Sequence, residues 1–211
     1  MKNKPRILST KILSQELCEK IHDSGFDLIQ MDFIEIVKSQ AQQKIDNQAV
    51  MISSKNAADF IDLHGRDIYC VGQKTQVAIE ANDVQVSRVF SDSQEMALHV
   101  ASKYKTATFI CGVRRMNRVH EVFQEMGGEL QIIEAYDTLL TPSAVPGYFS
   151  LVLFFSPSGV ESFFADNSFD GTAICIGNTT RSEVLKHIKQ ADVSNTTTIE
   201  SVVDKAIETR I

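Results

Sequence analysis

Hydroxyl and amino side chains follow four of the short apolar runs in this 211-residue chain. Each run is short enough to be a buried strand, and each precedes a segment with helical spacing. At such a junction, free backbone amides and the helix dipole favour a carboxylate or a phosphate. The pattern therefore indicates that the chain binds an acidic small molecule. The candidate binding residues are Ser53, Lys55, Thr75, Ser156, Ser158 and Thr180.

Other basic residues stand near the ends of predicted strands and could add positive charge to the same site. A ring of cations suits a substrate that carries several carboxylates, even in a chain whose formal charge is -6. These residues are Lys11, Lys74, Arg114, Arg115, Arg118 and Arg181.

The junctions recur because the chain contains an internal repeat. Gly72 and Thr75 return as Gly177 and Thr180, a shift of 105 residues, and Ser53 returns as a serine 103 residues later. Two similar α/β halves supply two similar sets of strand ends and helix starts. A cleft between the halves is therefore the expected ligand site.

Several kinds of chemistry have no support in the sequence. It contains no GxxxxGK[ST] phosphate loop, no GxGxxG dinucleotide turn and no GxSxG elbow. The five histidines and four cysteines lack the spacing of metal ligands, and the cysteines are expected to be reduced core thiols. We therefore expect no metal, no bound nucleotide and no catalytic triad.

The bulk composition limits the class of protein further. With 43% hydrophobic residues, the chain can bury a separate core in each of two domains. The negative net charge argues against nucleic acid as a partner. The first five residues are basic but lead into a predicted strand, and no apolar stretch reaches membrane-spanning length. We therefore expect a cytoplasmic protein without a membrane or nucleic-acid partner. We also expect it to be a monomer.

Eight short apolar runs, separated by helical segments, predict the secondary structure. Runs rich in Ile, Val and Phe that alternate with helices indicate parallel strands in βαβ units, in sheets covered on both faces. The expected fold class is therefore α/β with parallel sheets. The predicted strands span residues 6–9, 28–33, 50–53, 68–71, 108–111, 130–136, 151–155 and 173–176.

Two polar segments interrupt the alternation at equivalent places in the two halves. Residues 35–48 are rich in glutamine, and residues 137–150 contain two prolines and a glycine. A chain that changes domain at both segments forms one domain from residues 1–34 with 139–211 and the other from residues 35–138. An uninterrupted tandem of two domains would give the same pattern.

Motifs along the whole chain are similar to those of one family. They occupy residues 51–57, 133–138, 154–159 and 173–180, in the family's order and in a duplicated arrangement. On these segments the chain resembles the uroporphyrinogen-III synthases, lyases that close hydroxymethylbilane into an asymmetric tetrapyrrole with loss of water and inversion of ring D. The resemblance implies two flavodoxin-like domains joined by a two-strand connector, substrate held in a cleft between them, and no cofactor.

The resemblance also assigns roles to particular residues. Tyr136 aligns with the active-site tyrosine of the family, and Thr75 and Thr180 align with its paired threonines. The chain departs from the family at Ser54, where many members have proline, and at Asn178, where proline is common. Residues that align with polar strand ends facing the cleft are Ser53, Lys55, Ser156 and Ser158.

Two functions of other classes fit the same pattern. A cytosolic two-lobed binding or sensor module for an acidic ligand also places a cleft between two α/β halves. A tandem of receiver-like regulatory domains needs an acidic cluster after its first strand, where residues 6–10 and 50–54 supply hydroxyls instead. The sensor module is therefore the main alternative to the enzyme.

Overall fold

The computed structural model describes residues 4–39, 44–58, 62–114 and 117–209. Strands and helices alternate along this part of the chain, and none of its helices is long and apolar enough to cross a membrane. The strands are β1 (Arg6–Ser9), β2 (Asp27–Gln30), β3 (Ile34–Lys38), β4 (Ala49–Ile52), β5 (Asp67–Val71), β6 (Val86–Phe90), β7 (Thr106–Gly112), β8 (Glu129–Leu140), β9 (Leu151–Phe154), β10 (Thr172–Cys175) and β11 (Ala191–Val193). The helices are α1 (Gln15–Asp23), α2 (Gln73–Glu80), α3 (Ser93–Lys103), α4 (Arg118–Glu125), α5 (Pro157–Asp166), α6 (Asn178–Val184) and α7 (Ile199–Glu208), with a 3₁₀ turn at Lys55–Ala57.

The chain divides into two compact units. Unit 1 combines Met1–Glu35 with Leu139–Ile211, and unit 2 is Ile36–Thr138. The two passages between the units fall in β3 and β8, which are neighbours in one sheet. Hydrogen bonds from Ser39 N to Ala135 O (2.9 Å) and from Thr141 N to Phe33 O (3.0 Å) require these strands to run antiparallel. The chain therefore crosses between the units in two paired strands.

Unit 1 is built on a five-stranded sheet of order β2-β1-β9-β10-β11, in which neighbouring strands are parallel. Alternate side chains of β9 point to opposite faces. Phe154 joins an apolar cluster with Phe163 of α5, and Leu153 joins another with Val203 of α7. Both faces of the sheet are therefore covered by helices.

Unit 2 has a core sheet of order β8-β7-β4-β5-β6, with β3 outside β8. The neighbouring strands of this core are parallel. One face packs against α3 and α4 through residues such as Met51 and Phe123. The other face packs against the 3₁₀ turn and α2, and its apolar residues are here named the α2 cluster. The α2 cluster includes Val50, Ile52, Ile68, Cys70, Ile79, Ile110, Ile133 and Ala135.

The two sheets have the same strand order once the internal repeat is taken into account. The repeat matches β9 with β4 and β10 with β5, so the corresponding orders are β2-β1-β9-β10-β11 and β8-β7-β4-β5-β6. Only the order along the chain differs, because unit 2 ends with the strands that correspond to the first two strands of unit 1. Unit 1 therefore has the 2-1-3-4-5 order of a flavodoxin-like sheet, and unit 2 has the same arrangement in a circularly permuted form that counts as 3-2-1-4-5 along its own chain. The predicted class, α/β with parallel sheets in two domains, is confirmed.

Three strands of the structure, β3, β6 and β11, were not predicted from the sequence. All three lie at sheet edges, where one side of a strand is solvated and the sequence needs no continuous apolar run. In β3, four of the five residues are exposed. Residues 35–48 and 137–150, expected to be where the chain changes domain, contain most of β3 and the end of β8. Residues 40–43 of the first segment lie outside the described residues.

His99 of α3 lies against aromatic side chains beside β5 and β6. Its ring centroid is 5.2 Å from that of Phe90 and 5.9 Å from that of Tyr69. Its Nε2 atom is buried and has no hydrogen-bond partner among the described residues, and Nδ1 is 3.5 Å from Arg88 Nη1. Burial, followed by the positive charges of Lys103 and Arg88, lowers the pKa of His99.

Acidification is expected to destabilise the protein through His99. Unfolded histidines titrate near pH 6.5, so a lower pKa in the folded state means that the unfolded state binds the proton more tightly. The destabilisation is absent above the unfolded pKa and grows as the pH falls through it towards the folded pKa. Between about pH 7.5 and 5.5, the melting temperature should fall further for the wild type than for His99→Gln. Equal losses in the two proteins would contradict this assignment.

Candidate active site

Four of the predicted residues lie along the edge of the unit 2 sheet at which its parallel strands end. Ser53 and Lys55 follow β4, Thr75 lies in the helix after β5, and Tyr136 lies in β8. The chain reverses its direction of travel across the sheet between β4 and β7, and ligands of open α/β sheets bind at such a switch point. The 3₁₀ turn contacts both α2 and β7. Unit 2 therefore gathers these four residues along one edge of its sheet.

The turn after β4 is capped by Ser54, the neighbour of the candidate binding residue Ser53. Ser54 Oγ accepts a hydrogen bond from Asn56 N at 3.3 Å, and Ser54 is the N-cap of the 3₁₀ turn. Ser53 is half-buried between this cap and the end of β4, and Lys55 is exposed. The hydroxyl of Ser54 thus has the structural role, because Ser53 still lies on the extended segment before the turn.

Two lysines share a surface pocket beside this turn. The pocket has a volume of about 320 Å³ and is lined by Lys55, Gln73, Lys74 and Val77. Neither lysine forms an ion pair within the described part of the chain. Val77 contributes an apolar wall and is 65% exposed. Two amino groups beside an apolar surface can bind a carboxylate attached to an apolar ring.

Thr75 and Thr180 occupy equivalent positions in the two units. Each is the third residue of its helix, α2 or α6, and each helix begins after a glycine N-cap with no side-chain cap. The two threonines are only 5% and 1% exposed. Their hydroxyls therefore do not serve as N-caps, and in this conformation little of either side chain is accessible.

The predicted residues of unit 1 lie at the carboxyl ends of two neighbouring strands. Ser156 follows β9 and caps α5, since its Oγ accepts a hydrogen bond from Gly159 N at 3.0 Å. A hydroxyl that accepts in this way keeps its own proton for donation. Ser158 is half-buried in the first turn of α5, and Thr180 lies in α6 after β10. The structure therefore gathers Ser156, Ser158 and Thr180 within unit 1.

Several of the other basic residues have structural partners. Arg181 donates a hydrogen bond from Nε to the carbonyl of Ala191 at 2.7 Å. Arg118 forms ion pairs with two glutamates of its own helix, at 3.3 and 3.6 Å. Arg115 lies outside the described residues. Of the predicted cations, Lys55 and Lys74 share a pocket in unit 2.

From sequence, Lys74 was predicted only as one of the basic residues near the strand ends and not as one of the six candidate binding residues. A signal for it was present, because each lysine stands two residues after a small residue that ends a strand segment, Ser53 in one case and Gly72 in the other. Gly72 has a φ of 78°, which favours glycine and starts α2 directly after β5. This tight turn brings Lys74 to the same edge of the sheet as Lys55.

Tyr136 is half-buried and packs against the α2 cluster. Its carbonyl accepts a hydrogen bond from Val113 N at 3.0 Å, which ties β8 to the end of β7. The ring therefore belongs to the same face of the sheet as the 3₁₀ turn and α2. Within the described residues, no group of three or more His, Cys, Asp or Glu side chains is arranged to hold a metal ion.

The fold and the placement of these residues define a class of two-domain α/β protein with polar side chains at the strand ends of each sheet. Each unit is a parallel α/β sheet with hydroxyl groups at the carboxyl ends of its strands, and unit 2 adds amino groups and a phenol there. A profile described as uroporphyrinogen-III synthase HemD matches residues 15–204. The chain belongs to this family.

A curated relative shares low sequence identity with the chain. The porphyrin biosynthesis protein HemD of Ruminiclostridium josui is 24% identical over an alignment of 251 positions, which covers 97% of this chain and 49% of that protein. The chain therefore spans about half the length of the curated relative that it matches.

Two solved structures share the fold. The uroporphyrinogen-III synthetase of Helicobacter pylori has a TM-score of 0.74 at 15% identity, with 98% of this chain and 100% of that chain covered. A mutant uroporphyrinogen III synthase from Thermus thermophilus has a TM-score of 0.69 at 12% identity, with 96% and 97% covered. At these identities the likeness establishes the fold alone, an α/β architecture with parallel sheets in two domains.

Proposed function

We propose that this chain is a uroporphyrinogen-III synthase that converts hydroxymethylbilane into uroporphyrinogen III. The observation that carries the proposal is the family match over residues 15–204, combined with a phenol and two exposed lysines at one edge of the sheet in unit 2. The substrate is a linear tetrapyrrole with several acetate and propionate groups. Such a molecule needs cations for its carboxylates and apolar surface for its rings.

The proposed reaction begins with loss of the terminal hydroxyl group. The carbon–oxygen bond breaks as the lone pair of the adjacent pyrrole nitrogen forms an azafulvene, and the departing hydroxide takes a proton and leaves as water. We assign Tyr136 as the hydrogen-bond donor to this oxygen, because a tyrosine phenol is protonated at neutral pH. Solvent returns the proton to the phenol if it is transferred.

Ring closure then needs no further catalytic group from the protein. The substituted carbon of ring D attacks the azafulvene to give a spiro-pyrrolenine. The older bond from this carbon to the bridge carbon of ring C then breaks, and the bridge carbon bonds to the free α carbon of ring D, which leaves ring D inverted. A final proton loss from carbon restores the aromatic pyrrole. Because the substrate's own pyrroles supply the electrons, the main task of the protein is to hold the chain in a folded conformation.

We assign substrate binding to Lys74 and to the six candidate binding residues, Ser53, Lys55, Thr75, Ser156, Ser158 and Thr180. Lys55 and Lys74 would hold carboxylates through their amino groups, and Ser156 and Ser158 would do so through hydroxyls and the amides of the first turn of α5.

We also propose that the two units are the domains of the enzyme, with boundaries at 34/35 and 138/139. A fragment of residues 35–138 should then unfold cooperatively, and a fragment that does not would contradict the boundaries.

Catalytic turnover separates the enzyme from the alternative sensor module. Hydroxymethylbilane, generated enzymatically, is mixed with a substoichiometric amount of the chain, and its disappearance is compared with the spontaneous rate. The proposal requires that each molecule of protein consumes many equivalents of bilane. A chain that binds one equivalent and leaves the rate of disappearance unchanged would instead be a binding module.

The paired threonines give a smaller test of the binding assignments. Thr75→Val and Thr180→Val keep the side-chain shape but remove one hydroxyl each. Because both residues are almost fully buried, each change is expected to cost only about 1 kcal/mol of substrate binding, or about a fivefold rise in KM. Steady-state kinetics measure this change, and unaltered KM in both variants would show that neither hydroxyl contacts substrate.

A further inference from the structure

Gly112 ends β7 directly beneath the ring of Tyr136. A Cβ atom at position 112 would lie 2.8 Å from both Cε2 and Cζ of the tyrosine and 3.1 Å from its hydroxyl oxygen. Carbon atoms in contact are normally about 3.5 to 4.0 Å apart, so an alanine would overlap the ring. Gly112 does not have a left-handed φ, and its backbone would accept an alanine. The tyrosine ring is therefore the obstacle to a side chain at this position.

A bulge in β8 gives the tyrosine this orientation. The parallel register pairs Cys111 with Glu134 but then pairs Gly112 with Tyr136, so that Ala135 is the extra residue. Paired residues of neighbouring strands point to the same face of a sheet. As a result, the consecutive residues Ala135 and Tyr136 both pack against the α2 cluster, whereas regular alternation would send Tyr136 to the opposite face.

The bulge places Tyr136 on the face of the sheet that carries the other candidate residues of unit 2. The 3₁₀ turn with Lys55 contacts β7, and α2 with Lys74 contacts that turn. Without the bulge, the phenol would point towards α3 and α4, away from both lysines. With the bulge but with a side chain at position 112, the ring would be pushed off the end of β7.

We propose that Gly112 and the bulge at Ala135 position the Tyr136 phenol for the reaction, so that Gly112 is a positioning residue that acts only through Tyr136. This inference rests on the proposed function and adds a residue to it. Gly112 contributes no chemical group, and its role is to leave open the space that the ring occupies.

Kinetics of Gly112→Ala and Tyr136→Phe, alone and combined, test the coupling. Gly112→Ala is expected to lower kcat by about ten- to hundredfold, similar to Tyr136→Phe, with KM changed by less than about threefold. Because the displaced phenol no longer contributes, adding Tyr136→Phe to Gly112→Ala should cost less than about a further twofold. If Gly112→Ala keeps wild-type kcat, or if Tyr136→Phe retains its full effect in the alanine background, the inference is wrong.

Fluorine NMR provides a readout that does not depend on activity. The chain has four tyrosines, so protein labelled with 3-fluorotyrosine should give four resonances, and Tyr136→Phe identifies the one from Tyr136. Gly112→Ala should shift that resonance and leave the other three in place. The matched control is Gly171→Ala in unit 1, where a Cβ would lie 2.6 Å from the ring of Phe169, and it should leave the Tyr136 resonance unmoved. An unshifted Tyr136 resonance in Gly112→Ala would overturn the inference.

A second variant covers the case in which Gly112→Ala unfolds. Tyr136→Ala removes the ring, so the new methyl group at position 112 then has space. Gly112→Ala should therefore lower the melting temperature in the tyrosine background but not in the Tyr136→Ala background, and equal losses in both would contradict the proposed contact. If the wild type does not turn over bilane, the proposed function fails, and the NMR and melting data decide the placement of the ring by themselves.

Discussion

Replacing Tyr136 by phenylalanine is expected to lower the rate of type III isomer formation by about ten- to hundredfold. The substitution keeps the ring that packs over Gly112 and against the α2 cluster, and it removes only the phenolic hydroxyl. The loss is limited because the bilane ionises readily by itself, so the phenol assists a step that also proceeds without it. The measurement is the initial rate of type III formation under saturating substrate.

The control for this prediction is the same substitution at a tyrosine that is mostly exposed to solvent. Tyr148 is 80% exposed in unit 1, and Tyr148→Phe should leave the rate unchanged. Melting curves of both variants should match the wild type, since neither loses ring packing. Near wild-type turnover by a folded Tyr136→Phe protein would reduce Tyr136 to a packing residue.

Removing both amino groups of the unit 2 pocket is expected to raise KM by about ten- to hundredfold. In Lys55→Gln/Lys74→Gln, the pocket keeps its shape and its apolar wall at Val77 but loses the charges that would bind carboxylates. Because these contacts are made equally in the ground state and the transition state, kcat should change little. The difference in KM between the wild type and the double variant should become smaller at high ionic strength, because salt screens the charges of the two exposed lysines in the wild type.

A second double variant controls for the loss of two positive charges from the protein as a whole. Lys186→Gln/Lys189→Gln removes two exposed lysines from the segment between α6 and β11, and it should leave KM unchanged. Lys55→Arg keeps the charge and should keep KM within about threefold of the wild type. If the two double variants raise KM equally, the pocket has no specific role in binding the substrate.

The strands in the interior of each sheet could be predicted because burial on both faces requires continuous apolar runs. The run at Leu151–Phe154 is buried throughout, and so is that at Ala49–Ile52. Edge strands carry no such signal, since a segment such as Val86–Phe90 has two exposed polar residues, Ser87 and Arg88, in its centre. The antiparallel pairing of β3 with β8 depends on contacts distant in sequence and could not be derived from either segment alone.

The chemical types of the site residues could also be predicted, but their local roles could not. A serine pair such as Ser53 and Ser54 offers two possible caps, and the choice depends on backbone angles that the residue types do not specify. The burial of Thr75 and Thr180 depends on how their helices pack against the sheets. The orientation of Tyr136 depends on a bulge, which shifts the register by one residue and reverses the face that simple alternation predicts.

The isomer composition of the product tests the central claim most directly. Hydroxymethylbilane is incubated with a catalytic amount of the wild-type chain, the product is oxidised, and the type I and type III uroporphyrins are separated by chromatography. Closure without inversion of ring D gives the symmetric type I isomer, which is the product expected in a reaction without the protein. Our account predicts that type III becomes the main isomer and that its share rises with protein concentration. A product that stays type I at every protein concentration would contradict the account.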